Sequence, residues 1–109
     1  MRKVVNLLIV LGFLLVSSSA LAEANVLLGK EKSAACAACH GVDGNSSSPM
    51  FPKIAGQHAD YIIHALQAYK SAKRKNPMMQ MTVNALSDQD MADLAAYFAA
   101  QKGLETLRR

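Results

Sequence analysis

A chain of 109 residues, 51% hydrophobic and 18% charged, has room for one small domain and not for two. Its formal charge of +4 falls to +2 once residues 1–22 are set aside, since ten basic residues then face eight acidic ones. With no basic stripe on a recognisable module, nucleic-acid binding is excluded as a reading.

The first element is N-terminal. Arg2 and Lys3 precede a run from Val4 to Val16 that is apolar except for Asn6 and Gly12. A transmembrane helix needs about 20 such residues, and this run gives way to Ser17-Ser18-Ser19 and the small-x-small pattern Ala20-Leu21-Ala22. Residues 1–22 therefore read as a cleaved secretory signal, with export to the periplasm as its consequence. An uncleaved anchor is the alternative, disfavoured by the shortness of the run. The domain proper spans 23–109, carries five aromatic residues and no Trp, and is small enough to draw on a disulfide, a metal or a cofactor for stability.

No alternating apolar run is long enough for a strand, so the domain reads as all-α with three to four helices. The first helix spans Val26 to Ala38, with Asn25 as N-cap and Gly29 inside it, where close backbone packing is expected. Residues 41–57, rich in Gly, Ser and Pro, form a long structured loop of the kind that serves a site. A second helix over Ala59–Ala72 sets Tyr61, Ile62, Ala65, Leu66 and Tyr69 on one face and Asp60, His64, Gln67 and Ser71 on the other. It ends in the basic cluster Lys70, Lys73, Arg74 and Lys75. Asn76-Pro77 stops it, and a second loop through Ala85 carries Met78, Met79 and Met81. A third helix starts at Ser87, whose hydroxyl can cap the Asp90 amide, with Met91, Leu94, Ala95 and Phe98 as its inward stripe.

Chemistry concentrates in Cys36-Ala37-Ala38-Cys39-His40. This is the C-x-x-C-H pattern of covalent c-type haem attachment: two thiols one helical turn apart can add to two vinyl groups, and the adjoining His can ligate the iron. The residues alone leave other readings open. A disulfide or thioredoxin-like pair suits an oxidising compartment but lacks a βαβ context. Zinc could take Cys36, Cys39, His58 and His64, at a spacing looser than a zinc finger's. No catalytic acid, base or nucleophile is arranged, so no enzyme is expected.

Three stretches, Cys36–Asn45, Phe51–Gln57 and Leu86–Phe98, together resemble a class I cytochrome c, and in particular the small bacterial monohaem proteins of the c-553 kind or one half of their dihaem relatives. The resemblance covers nearly all of 23–109. It implies a few helices around one haem c, the first and last crossing near Gly29 and Tyr97, and one-electron transfer between redox proteins. It further implies thioethers at Cys36 and Cys39, His40 as the proximal iron ligand and Met79 as the distal one, with Met81 as a rival because Thr82 stands where a second Met is expected. The Pro49 carbonyl would accept from the His40 ring, with Pro52 as the fallback; Met50, Met78, Met81 and Met91 would be packing residues. Implied partners are an electron donor and an acceptor, such as a quinol-oxidising complex and a terminal oxidase or reductase, met by a monomer that reaches the membrane only through them. The alternative function is a haem subunit or sensor that binds a small ligand at the iron.

Overall fold

The computed structural model describes residues 22–105, so the proposed signal lies outside the described residues apart from Ala22. Five helices and no strand occur among them: α1 Val26–Lys32, α2 Ala34–His40, α3 Ala59–Lys70, α4 Pro77–Val83 and α5 Asp88–Ala99.

Local chemistry explains the boundaries. Asn25 caps α1, its side-chain oxygen accepting from the Leu28 amide at 3.0 Å. The single helix expected over Val26–Ala38 is instead two, and the second runs on to His40. Buried Ser33 causes the break: its hydroxyl donates to the Lys30 carbonyl at 2.7 Å, and its amide tightens onto the same carbonyl at 3.2 Å. A hydroxyl bonded back to the preceding turn competes with the regular ladder and bends the chain.

The second expected loop also contains a helix. Asn76 accepts from the amides of Met78 and Met79 at 3.1 and 3.2 Å, and Pro77 occupies the first helical position, where its fixed φ is an advantage. At α5 the capping box is complete, with Ser87 and Asp90 exchanging 3.0 Å bonds between side chain and backbone.

α5 is the spine of the domain. Met91, Leu94, Ala95, Tyr97 and Phe98 are all buried on it, and Ile62 and Leu66 of α3 and Val83 of α4 close the same cluster. On its other side α5 is crossed by α1 at Gly29, where an added Cβ would collide with the Asp93 carbonyl and lie 2.7 Å from the Tyr97 Cβ. The crossing is locked by charge. Asp93, with no exposed surface, accepts from the Asn25 amide at 2.9 Å, Gln89 at 3.0 Å and the Lys32 ammonium at 2.6 Å.

The loop over 41–57 is held to the same spine. Its Gly56 amide donates to the Phe98 carbonyl at 2.9 Å, and the Ile54 and Ala55 amides converge on the Gly44 carbonyl. Gly44, at φ 84°, could not be replaced without strain: a Cβ there would sit 2.9 Å from Phe98 Cδ1.

Candidate haem site

One cavity of about 480 Å³ lies between the 41–57 loop, α3, α4 and α5. Its volume falls in the range typical of small-molecule and cofactor sites, roughly 300–1,000 Å³. Ile62, Leu66, Leu94 and Phe98 form its apolar floor, while Cys36, Cys39, His40 and Met79 all face into it.

Helix α2 is what brings the first three together. Cys36 and Cys39 are three residues apart, hence on one face, and both are free thiols, half-buried rather than bridged. Burial pushes the Cys36 thiol above its ordinary pKa, which keeps it protonated. His40 closes the helix and is buried. Its Nδ1 lies 2.8 Å from the Pro52 carbonyl. A carbonyl can only accept, so Nδ1 carries the proton and Nε2 keeps its lone pair for a metal. The carbonyl that meets the ring is thus Pro52's and not Pro49's. The loop's hydrogen bonds explain why: the amides of Ile54 and Ala55, just beyond Pro52, are tied to Gly44, which anchors the Pro52 end of the loop, whereas Pro49 is exposed in the turn before it.

On the facing wall, α4 sorts the three methionines of Met78-Met79-Gln80-Met81. Met79 is half-buried against the core cluster and lines the cavity; Met78 is 53% exposed at its rim; Met81 is 78% exposed and does not line it. Neither Met78 nor Met81 packs as expected, since both are exposed. Met50 is not a packing residue either: it is 79% exposed at the cavity mouth. Met91 is fully buried on α5 as its position requires. His58 and His64 stand apart from the cavity, and no group of three His, Cys, Asp or Glu side chains able to hold a metal occurs among the described residues.

The donor set fits a haem. Two thiols, an imidazole with one nitrogen committed and one free, and a thioether surround one apolar cavity whose rim carries Lys53, Tyr69, Arg74 and Asn76. Arg74 was visible in the sequence only as part of a basic cluster; its place at the rim depends on the turn that follows α3.

Comparison with known proteins agrees with this chemistry. The cytochrome c family pattern matches residues 26–102. Cytochrome c4 of Pseudomonas aeruginosa is 46% identical over 101 residues, which covers 93% of this chain and 49% of that protein. Cytochrome c-554(548) of Halomonas halodenitrificans is 39% identical over 77 residues, covering 68% of this chain and 93% of its own. The crystal structure of reduced recombinant cytochrome c4 from Pseudomonas stutzeri superposes with a TM-score of 0.70 at 44% identity, over 74% of this chain and 47% of that one. The chain therefore spans about half the length of the cytochrome c4 relatives it matches.

Proposed function

The chain belongs to the cytochrome c family, which binds haem c covalently, and from that membership we propose that it is an exported one-electron carrier in which Cys36 and Cys39 would hold the haem and His40 and Met79 would ligate its iron. The observation that carries the proposal is the convergence of both thiols, the His40 ring and the Met79 thioether on one apolar cavity, with Nδ1 of the ring already engaged by Pro52. Haem c, when bound, would supply a one-electron ferrous/ferric couple.

The protein's residues do the rest. Cys36 and Cys39 would tether the macrocycle, and the Pro52 carbonyl accepts from Nδ1 of His40 and so fixes the tautomer and plane of its ring. As a ligand to that iron, the Met79 sulfur would favour the ferrous state. Leu66, Leu94 and Phe98 exclude water, which limits solvent reorganisation when charge arrives or leaves. No proton has to move, and no acid or base is asked to move one.

Export to the periplasm is supported by the N-terminal run and its small-x-small end; no helix among the described residues is long and apolar enough to cross a membrane. The partners are a redox donor and a redox acceptor.

The test is the exported protein itself. Its intact mass should equal residues 23–109 plus one haem, and its ferric spectrum should show the weak near-infrared sulfur–iron band, with a ferrous form that resists carbon monoxide. Haem extractable by acidic solvent would defeat covalent attachment. A ferrous form that takes up carbon monoxide, with no near-infrared band, would make the protein a ligand-binding haem subunit or sensor instead.

A further inference from the structure

Five methionines occur among the described residues, and three of them, Met50, Met78 and Met81, are exposed. Methionine is among the residues most often buried, so a majority left in solvent calls for a reason. Their placement supplies one. Met50, from the 41–57 loop, and Met78, from α4, line the mouth of the same cavity. Met81 follows Met78 by three positions, which sets both on one face of α4. Met79 stands between them in the chain, yet it is half-buried and packs against the core cluster.

A packing contact or an apolar rim needs only hydrocarbon surface, and leucine supplies that equally well. What a thioether adds is a nucleophilic sulfur. Hypochlorous acid reacts with it as a two-electron oxidant: the O–Cl bond breaks, an S–O bond forms, and chloride and a proton leave. The sulfur is oxidised to the sulfoxide and the chlorine is reduced. The product is polar, and methionine sulfoxide reductases return it to the thioether. At an exposed position the change disturbs little, because no packing is lost. At Met79 it would set a polar oxygen against the core cluster and spoil the sulfur as a ligand.

We propose that Met50, Met78 and Met81 are sacrificial oxidation sites, which consume two-electron oxidants such as hypochlorous acid at the mouth of the cavity before these reach the Met79 sulfur. The protective role rests on the reading of Met79 as an iron ligand. Exposure sets the order of attack: the three outer sulfurs meet oxidant directly, Met79 is screened by the fold, and Met91 is fully buried on α5.

The experiment titrates hypochlorous acid into the haem-loaded ferric protein, so that no oxidant is spent on ferrous iron. Wild type is compared with the triple variant Met50→Leu, Met78→Leu, Met81→Leu, in which leucine keeps the apolar volume. Peptide masses locate the added oxygen at each dose, and the near-infrared sulfur–iron band is followed relative to its starting value. In the wild type we expect oxygen on the three exposed methionines before Met79, with Met91 last. The triple variant should lose its band at about two- to fourfold lower dose, as expected when three competing thioethers of at least equal reactivity are removed. Oxygen on Met79 while the exposed three remain unmodified would overturn the proposal, and so would a triple variant that loses its band at the wild-type dose. If that variant does not fold, the order of uptake in the wild type decides alone. A wild type with no sulfur–iron band before treatment would sink the ligand reading instead, and the peptide masses would still uphold or overturn the order of oxidation.

Discussion

Met79 and Met81 are two positions apart on one helical turn, yet one faces the cavity and the other is 78% exposed. That rotation separates their roles. Met79→Ala should abolish the sulfur–iron band, lower the reduction potential and open the iron to carbon monoxide. Met81→Ala should keep the band and change stability by less than about 0.5 kcal/mol, as exposed substitutions usually do. Ala72 gives a second test at this scale. Its left-handed backbone costs an L residue roughly 1 kcal/mol that a glycine does not incur. Ala72→Gly should therefore stabilise the folded protein by a few tenths to about 1 kcal/mol in denaturant titration, the unfolded-state entropy of glycine taking back part of the gain.

The crossing of α1 and α5 is the least forgiving contact between elements. Gly29→Ala places a methyl against the Asp93 carbonyl, and because that partner is backbone it cannot rotate away. We expect a loss of about 1–3 kcal/mol, or outright misfolding, read from the denaturation midpoint. The ion cluster beside it sets an acid limit. The Ser87 amide and the Lys32 ammonium hold the Asp90 carboxyl down at about 2, and Lys32 and the Asn25 amide lower Asp93. Both groups bind protons more weakly folded than unfolded, so their contribution is complete above the ordinary carboxylate pKa near 3.9 and drains away as pH falls below it, for Asp90 through about 2. Melting temperature should drop across that window, and Asp93→Asn should flatten the drop. Sequence patterning anticipated the caps at Asn25 and Ser87, the inward stripe of α5 and the glycine at the crossing, because each is a short-range signal. It did not resolve Ser33 as a break or Pro77 as a helix start. In both, one side chain supports two local structures, and tertiary packing chooses between them. The Pro52 carbonyl was equally ambiguous, since only the loop's bonds to Gly44 decide which proline reaches His40.

At the level of the whole molecule, the basic residues beyond α3 divide by task. The Lys70 ammonium donates to the Leu86 carbonyl and bridges α3 to the start of α5, Arg74 lies on Tyr69, and Lys73 and Lys75 remain on the surface. If the last two steer an acidic redox partner, Lys73→Glu with Lys75→Glu should slow electron transfer several-fold at low ionic strength and have little effect at high salt. Equal rates at low salt would leave them as complements to the negative end of α3. The two walls of the cavity also differ in how they are fastened. The wall bearing His40 continues from α1, clamped to α5 by a buried carboxylate and a glycine contact, and its loop is sewn to Phe98; the wall bearing Met79 is a seven-residue helix with one buried residue, Val83, packed chiefly on α3. Amide hydrogen exchange should report this asymmetry. The amides of residues 78–83 should exchange through a partial opening well below the free energy of global unfolding, while the α5 amides exchange only when the whole domain opens. Transient loss of the sulfur ligand would then be a local event, reversible without disturbing the proximal side, and its frequency would be set by the stability of one short helix.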